Sequence, residues 1–229
     1  MIPRLSTNSP LDKLLNGGLE CGAITNVYGE AGSGKTNIAL LSTLSCIRKG
    51  KKVIYIDTEG SFSVERFMQI GGSKEDLKHI IIFEPKTWKE QHERIKQLEE
   101  LVKKENIGLI VIDSMVALYR LELSDENYTK INRELATQYS IISKLARSYG
   151  IPVLVTNQVY SKVNGEIEKL EVISNHIAKF WSKTLIELQR LDRANHRRAI
   201  LKKHRSLPEE KKIEFVIYEK GIKEARFLL

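Results

Sequence analysis

The segment Gly29-Glu30-Ala31-Gly32-Ser33-Gly34-Lys35-Thr36 sets a lysine and a hydroxyl directly after a run punctuated by three glycines. That spacing lets a main-chain turn close on phosphate oxygens with its N–H groups pointing inward. Lys35 then reaches the β- and γ-phosphates as a point charge, and Thr36 offers its hydroxyl to Mg²⁺. A helix starting at the loop adds its positive dipole end. The pattern therefore predicts a site for ATP with Mg²⁺. A plain glycine turn is the alternative, and the setting argues against it: the apolar stretch Ile24-Thr25-Asn26-Val27-Tyr28 leads in, and an amphipathic segment follows.

Such a site needs a carboxylate at a neighbouring strand end to hold the metal through water, and Leu109-Ile110-Val111-Ile112-Asp113 ends on one. Asp113 is the candidate. The next residue is Ser114, so a group that activates the attacking water must come from another strand end. Glu59, in Asp57-Thr58-Glu59-Gly60 after the apolar Val53-Ile54-Tyr55-Ile56, is the leading choice. Asp57 and Glu59 in a solvated turn would give the same pattern. Gln158 closes a third apolar run, Val153-Leu154-Val155-Thr156-Asn157, where its amide could sense a γ-phosphate or simply end a strand.

These residues require short strands alternating with helices, as in a parallel sheet covered on both faces. Strands are expected over Ala23–Tyr28, Lys52–Ile56, Ile80–Phe83, Leu109–Ile112 and Pro152–Thr156. Helices are expected over Lys35–Arg48, Ser63–Ile70, Lys89–Glu105 and Asn127–Tyr149, with a further one over Leu11–Leu19 stopped by Gly17-Gly18. The later runs Thr184–Leu191, Arg198–Lys203 and Lys212–Tyr218 read as antiparallel strands extending one side of the sheet. The expected class is α/β, as one ATPase domain over residues 1–229.

With 229 residues, 41% hydrophobic and 29% charged, the chain can bury a full core. No apolar stretch approaches membrane-span length and the first residues lack a signal core, so a cytoplasmic protein is expected. Cys21 and Cys46 read as small buried side chains. The net charge of +8 favours meeting polyanions, although the abundance of Lys, Glu and Ile is also common in proteins from hot environments.

Four stretches together resemble the RecA-type recombinase superfamily, and within it the archaeal branch that holds RadA and a shorter, core-only paralogue. They are Leu11-Asp12-Lys13-Leu14-Leu15-Asn16-Gly17-Gly18-Leu19-Glu20, Tyr55-Ile56-Asp57-Thr58-Glu59-Gly60-Ser61-Phe62 with Glu65-Arg66-Phe67, Asp113-Ser114-Met115-Val116-Ala117-Leu118-Tyr119-Arg120, and Thr156-Asn157-Gln158-Val159. The resemblance implies a RecA-like, mostly parallel sheet between helices. It also implies Glu59 as the catalytic carboxylate, Gln158 as the γ-phosphate switch, slow hydrolysis, and loops after Asp113 and Gln158 that hold single-stranded DNA. Only some twenty residues precede the core, so the helical DNA-binding domain and docking linker of RadA are expected to be missing. The segment Val159–Glu171 also lacks the recombinases' paired glycines.

The densest basic run is Arg193–Arg205. A solvated face is the ordinary reading of such a run. The resemblance raises a second one, in which Arg197, Arg198, Lys202, Lys203 and Arg205 lie along a DNA backbone without reading its sequence. Arg120 sits where the family's first DNA loop begins, and Tyr119 beside it either stacks on a base or is buried. Ser206-Leu207-Pro208 resembles a segment that caps a neighbouring subunit's adenine, with His204-Arg205 in place of the usual acid, and a homo-oligomer remains open. The reading that follows is an ATP-binding, weakly hydrolysing DNA-binding accessory of a RadA-type recombinase in recombination and repair. The alternatives are a minimal strand-exchange recombinase and a KaiC-like signalling ATPase without a nucleic-acid partner.

Overall fold

The computed structural model describes residues 2–159 and 176–225. The chain opens with β1 (Arg4–Leu5), α1 (Leu11–Leu14) and β2 (Leu19–Glu20), then β3 (Ile24–Gly29), α2 (Lys35–Ile47) and β4 (Lys52–Asp57). There follow α3 (Val64–Gln69), α4 (Lys74–Leu77), β5 (Ile80–Phe83), α5 (Trp88–Lys104) and β6 (Ile107–Asp113). Next come α6 (Ala117–Glu122), α7 (Tyr128–Tyr149), β7 (Val153–Gln158), β8 (Thr184–Arg190), β9 (His196–Lys203), β10 (Lys212–Tyr218) and β11 (Gly221–Glu224).

Nine strands form the main sheet in the order β11-β10-β9-β8-β3-β7-β6-β4-β5, while β1 and β2 pair separately. From β8 to β5 the strands are parallel, and β9, β10 and β11 continue antiparallel. The expected antiparallel group is thus corrected at its first member, because β8 still runs parallel to β3. The expected helix over Leu11–Leu19 is also shorter: it stops at Leu14, and Leu19 already lies in β2. Gly17 and Gly18, with φ of 119° and 121°, make that turn.

Strand residues alternate between two apolar layers. Val53, Tyr55, Leu109, Val111 and Leu154 pack towards α2, whereas Ile54, Ile56, Ile110, Ile112, Val153 and Val155 pack towards α5 and α7. Burial on both faces is why these strands read as unbroken apolar runs. Helix ends are set locally: the Thr87 hydroxyl accepts from the Glu90 amide at the start of α5, and Gly150 closes α7 in the left-handed region. Cys46 is buried, and burial pushes its thiol up to about 12; Cys21, expected inside, is partly exposed. Among the described residues no helix is long and apolar enough to cross a membrane.

Candidate functional site

All parallel strands end on the same edge of the sheet, so Gly29, Asp57, Asp113 and Gln158, the last residues of β3, β4, β6 and β7, meet there. Such an edge is where open α/β sheets bind ligands. Gly29 has a steric reason: a Cβ there would lie 2.3 Å from the Leu188 carbonyl oxygen and 2.8 Å from Ser33 Oγ. Gly34 begins α2 at φ 103°, and a Cβ would meet Ile217 Cδ1 of β10 at 3.0 Å. The loop between them is packed from behind by the antiparallel strands and opens forward onto a cleft of about 200 Å³ bounded by Gly32, Lys35, Thr36, Glu59, Asp113 and Gln158.

Lys35 is 8% exposed, and its Nζ donates to the Gly29 and Glu30 carbonyls at 2.8 and 2.9 Å. Burial lowers the pKa of its ammonium, and Asp113, Glu59 and Glu30 act in the opposite direction. Asp113 is 3% exposed and accepts from four hydroxyls. Thr36 Oγ1, Tyr55 OH and Ser61 Oγ reach its Oδ2 at 2.8, 2.9 and 3.0 Å, and Thr156 Oγ1 reaches its Oδ1. Thr36 and Asp113 thus stand side by side at the cleft. Tyr55 and Thr156 escaped the sequence reading because hydroxyls inside apolar strands reveal their direction only once the strands pair, and Ser61 because the turn after β4 gives no pattern to place it.

Asp57 is turned the other way. Its carboxylate accepts from the Glu59, Ser61 and Phe62 amides at 3.2, 3.0 and 2.8 Å and so shapes the turn after β4. That turn is therefore no loose solvated bend. It presents Glu59, whose Oε1 accepts from Ser114 Oγ at 2.5 Å and whose Oε2 accepts from Gln158 Nε2. The Asp113–Ser114 peptide is cis, and the Thr58 hydroxyl both donates to the Ser114 carbonyl at 2.7 Å and accepts from its amide at 2.9 Å. Glu59 and Gln158 form a wall shared with a second cleft of about 380 Å³, lined also by Ser114, Leu118, Arg120 and Leu121.

Arg120 lies at that second cleft, within 3.5 Å of the Gln158 carbonyl. Tyr119 is buried, donates to Asn132 Oδ1 at 2.8 Å and packs edge-on against Trp88, which leaves the base-stacking reading without an accessible ring. The loop expected after Gln158 lies outside the described residues from 160 to 175.

The basic run does not form one stripe. On β9, Arg197 and Arg198 take opposite faces, as strand period requires, and a register irregularity against β8 interrupts that alternation before Lys203. Each is engaged. Arg198 donates twice to Glu214 at 3.0 and 2.6 Å, Lys202 pairs with Glu210 at 2.5 Å, and Lys203 donates to the Lys179 and Ser182 carbonyls at 2.5 and 2.9 Å. Arg205 pairs with the buried Glu20 at 2.7 Å. Arg197 reaches the glycine loop itself, its Nε donating to the Gly32 carbonyl at 2.9 Å. All five cations expected along a DNA backbone thus have partners within the chain.

The Rad51 family model matches residues 2–225. The chain is 42% identical over 224 residues to the DNA repair and recombination protein RadB of Methanobrevibacter smithii, covering 96% of this chain and 95% of that one. It is 46% identical over 217 residues to RadB of Methanococcus maripaludis, covering 93% and 96%. A solved structure, the crystal structure of the RadB recombinase, superimposes with a TM-score of 0.80 at 36% identity over 97% of this chain and all of that one.

Proposed function

The chain belongs to the Rad51 family, and on that premise we propose that it is a cytoplasmic ATPase core that assists a RadA-type recombinase in recombination and repair. It binds ATP with Mg²⁺, hydrolyses it slowly, and contacts single-stranded DNA without reading sequence. The observation that carries the reading is the convergence of Lys35, Thr36, Asp113, Glu59 and Gln158 on one cleft from four strand ends.

The residues fit the cofactor. Thr36 Oγ1 and Asp113 Oδ2 form an all-oxygen pair 2.8 Å apart on the loop side of the cleft, the ligand type Mg²⁺ takes while keeping several waters and substrate oxygens. When bound, Mg²⁺ would neutralise charge on the β- and γ-phosphate oxygens. Loop amides and the α2 N-terminus receive the phosphates, and Lys35 exchanges two carbonyls for phosphate oxygens. Glu59 orients water for attack on the γ-phosphorus. Its carboxylate is held between Ser114 and Gln158, so engagement of Gln158 by a phosphate would release one oxygen of Glu59 to take the water's proton. That exchange makes turnover depend on Gln158 and, through the loop behind it, on DNA.

DNA contact rests on the family and on the net charge of +8, with Arg120 lining the cleft that shares the Glu59–Gln158 wall. Arg198, Lys202 and Arg205 contribute only by giving up carboxylate partners. The ATPase rate should be measured alone, with single-stranded DNA, and with a RadA-type recombinase. Stimulation by either addition supports the accessory reading; D-loop formation by the protein alone would favour a minimal recombinase, and indifference to both would favour a signalling ATPase.

A further inference from the structure

A loop that presents its N–H groups to phosphate has to keep its carbonyl oxygens out of the cradle, because each would repel the anion. The carbonyls of Gly29, Glu30 and Gly32, ahead of α2, are held by donors. Gly29 O accepts from Lys35 Nζ and from the Val159 amide at 3.2 Å, and Glu30 O accepts from Lys35 Nζ and from the Ser33 amide at 3.2 Å. The third, Gly32 O, is held by Arg197 Nε, 165 positions away on β9. No heavy atom lies within 4 Å of where a Gly32 Cβ would be, and Gly32 has φ +72°; the amide end of the same peptide, at Ser33, is tied to Glu30 O, and Arg197 supplies the donor at its carbonyl end.

We propose that Arg197 is a positioning residue of the nucleotide site: its guanidinium pins the Gly32 carbonyl outward and brings a fixed positive charge to the back of the phosphate loop. This rests on the ATP-binding reading above. The geometry separates its role from that of Lys35. When the Lys35 ammonium turns to phosphate it abandons Gly29 O and Glu30 O, which keep the Val159 and Ser33 amides, whereas Arg197 approaches from outside and holds Gly32 O in both situations. The side chain is braced for this by a second bond, from NH1 to the His196 carbonyl at 2.8 Å. Burial lowers the pKa of its guanidinium, with Arg190 adding to that and Glu30 opposing it, and the group stays charged throughout the working pH range. A phosphate-loop contact rather than DNA is thus the use made of the first cation of β9.

The test compares wild type, Arg197→Gln and Arg197→Lys by calorimetric titration with MgATP and MgADP, alongside thermal unfolding and single-stranded DNA binding. Arg197→Gln should weaken both nucleotides by roughly tenfold while kcat at saturation changes less than about threefold, because a loop shaped for the β-phosphate serves substrate and product alike. Arg197→Lys should recover part of the affinity by restoring charge and one donor. The nucleotide-free unfolding midpoint should stay near that of wild type, which a merely structural residue would not allow. Unchanged nucleotide affinity in Arg197→Gln, a loss confined to MgATP, or a loss of DNA affinity alone would overturn the assignment. Failure of wild type to bind either nucleotide would instead sink the ATP-binding reading itself.

Discussion

The crevice at the ends of the parallel strands and the basic strand β9 both gather polar side chains, yet they are built on opposite plans. In the crevice, residues from β3, β4, β6 and β7 turn towards a common space, and Asp113 alone accepts four hydroxyls. On β9, Arg197 and Arg198 leave in opposite directions and each cation is engaged by a separate partner: Glu214 and Glu210 for Arg198 and Lys202, backbone carbonyls for Lys203 and Arg197. Distance in sequence became proximity in the crevice, and proximity in sequence became separation on β9. A parallel sheet does the first by ending all its strands on one edge, and a strand does the second by its period of two.

The comparison breaks most easily at Lys35. Lys35→Ala removes the one cation of the glycine loop, while the Gly29 and Glu30 carbonyls keep the Val159 and Ser33 amides, so MgATP affinity should fall by about a hundredfold or more. Retained binding in a calorimetric titration would mean that loop amides alone suffice. Next in size, Glu59→Gln keeps the shape of the wall and should leave MgATP affinity within about threefold while lowering kcat by roughly 10² to 10³. Turnover close to wild type would move water activation to another group. Ser114→Ala should act through Glu59 alone, lowering kcat by about tenfold, and its effect should vanish in the Glu59→Gln background. An additive double variant would show that Ser114 and Glu59 act separately.

A smaller effect is expected on the other side of the comparison. Arg198→Gln with Lys202→Gln removes two formal charges that already face Glu214, Glu210 and Glu187. Cations already engaged by carboxylates have little to offer a phosphate backbone, so single-stranded DNA affinity should change by less than about threefold, with almost no change in its dependence on salt. A steep loss of affinity would return β9 to a DNA-facing role and dissolve the contrast.

The same contrast explains what was legible in the sequence. Gly29, Lys35 and Thr36 are fixed by local backbone geometry, and Asp113, Glu59 and Gln158 by strand ends that apolar runs reveal, so the crevice was readable before any pairing was known. The parallel core strands and the long helices α2, α5 and α7 were readable for the same reason. Helices α4 and α6 and strands β1, β2 and β11 were not, and α1 was expected too long, because short segments outside an apolar run carry too little pattern to mark them or set their ends. Nor were Tyr55, Ser61, Thr156 and Arg197, whose parts depend on which strand lies beside which. In the basic run the partners of each cation were not readable either, because charge density along a chain does not say which neighbour each residue meets.

The least effect, and the sharpest on how β9 ends, concerns His204. Its side chain is buried, and its Nδ1 accepts from the Ser206 and Leu207 amides, both at 3.1 Å, so the proton of the neutral ring sits on Nε2, 3.6 Å from Glu20. A second proton would turn Nδ1 into a donor facing two donors. Burial lowers the His204 pKa below its usual 6.5; Glu20 opposes this, and Arg4 and Arg205 add to it. With the folded value below the unfolded one, the unfolded chain takes up the proton first, and stability falls as pH drops from about 6.5 through the folded value. His204→Asn offers an acceptor in place of Nδ1 and no titration, so the unfolding midpoint of wild type should decline relative to the variant between pH 7 and pH 5 and match it within a few degrees at pH 8. A relative gain for wild type at low pH would mean that attraction to Glu20 outweighs desolvation, and that the turn after β9 is held by charge in the manner of Arg198 and Lys202 rather than by directed hydrogen bonds in the manner of the crevice.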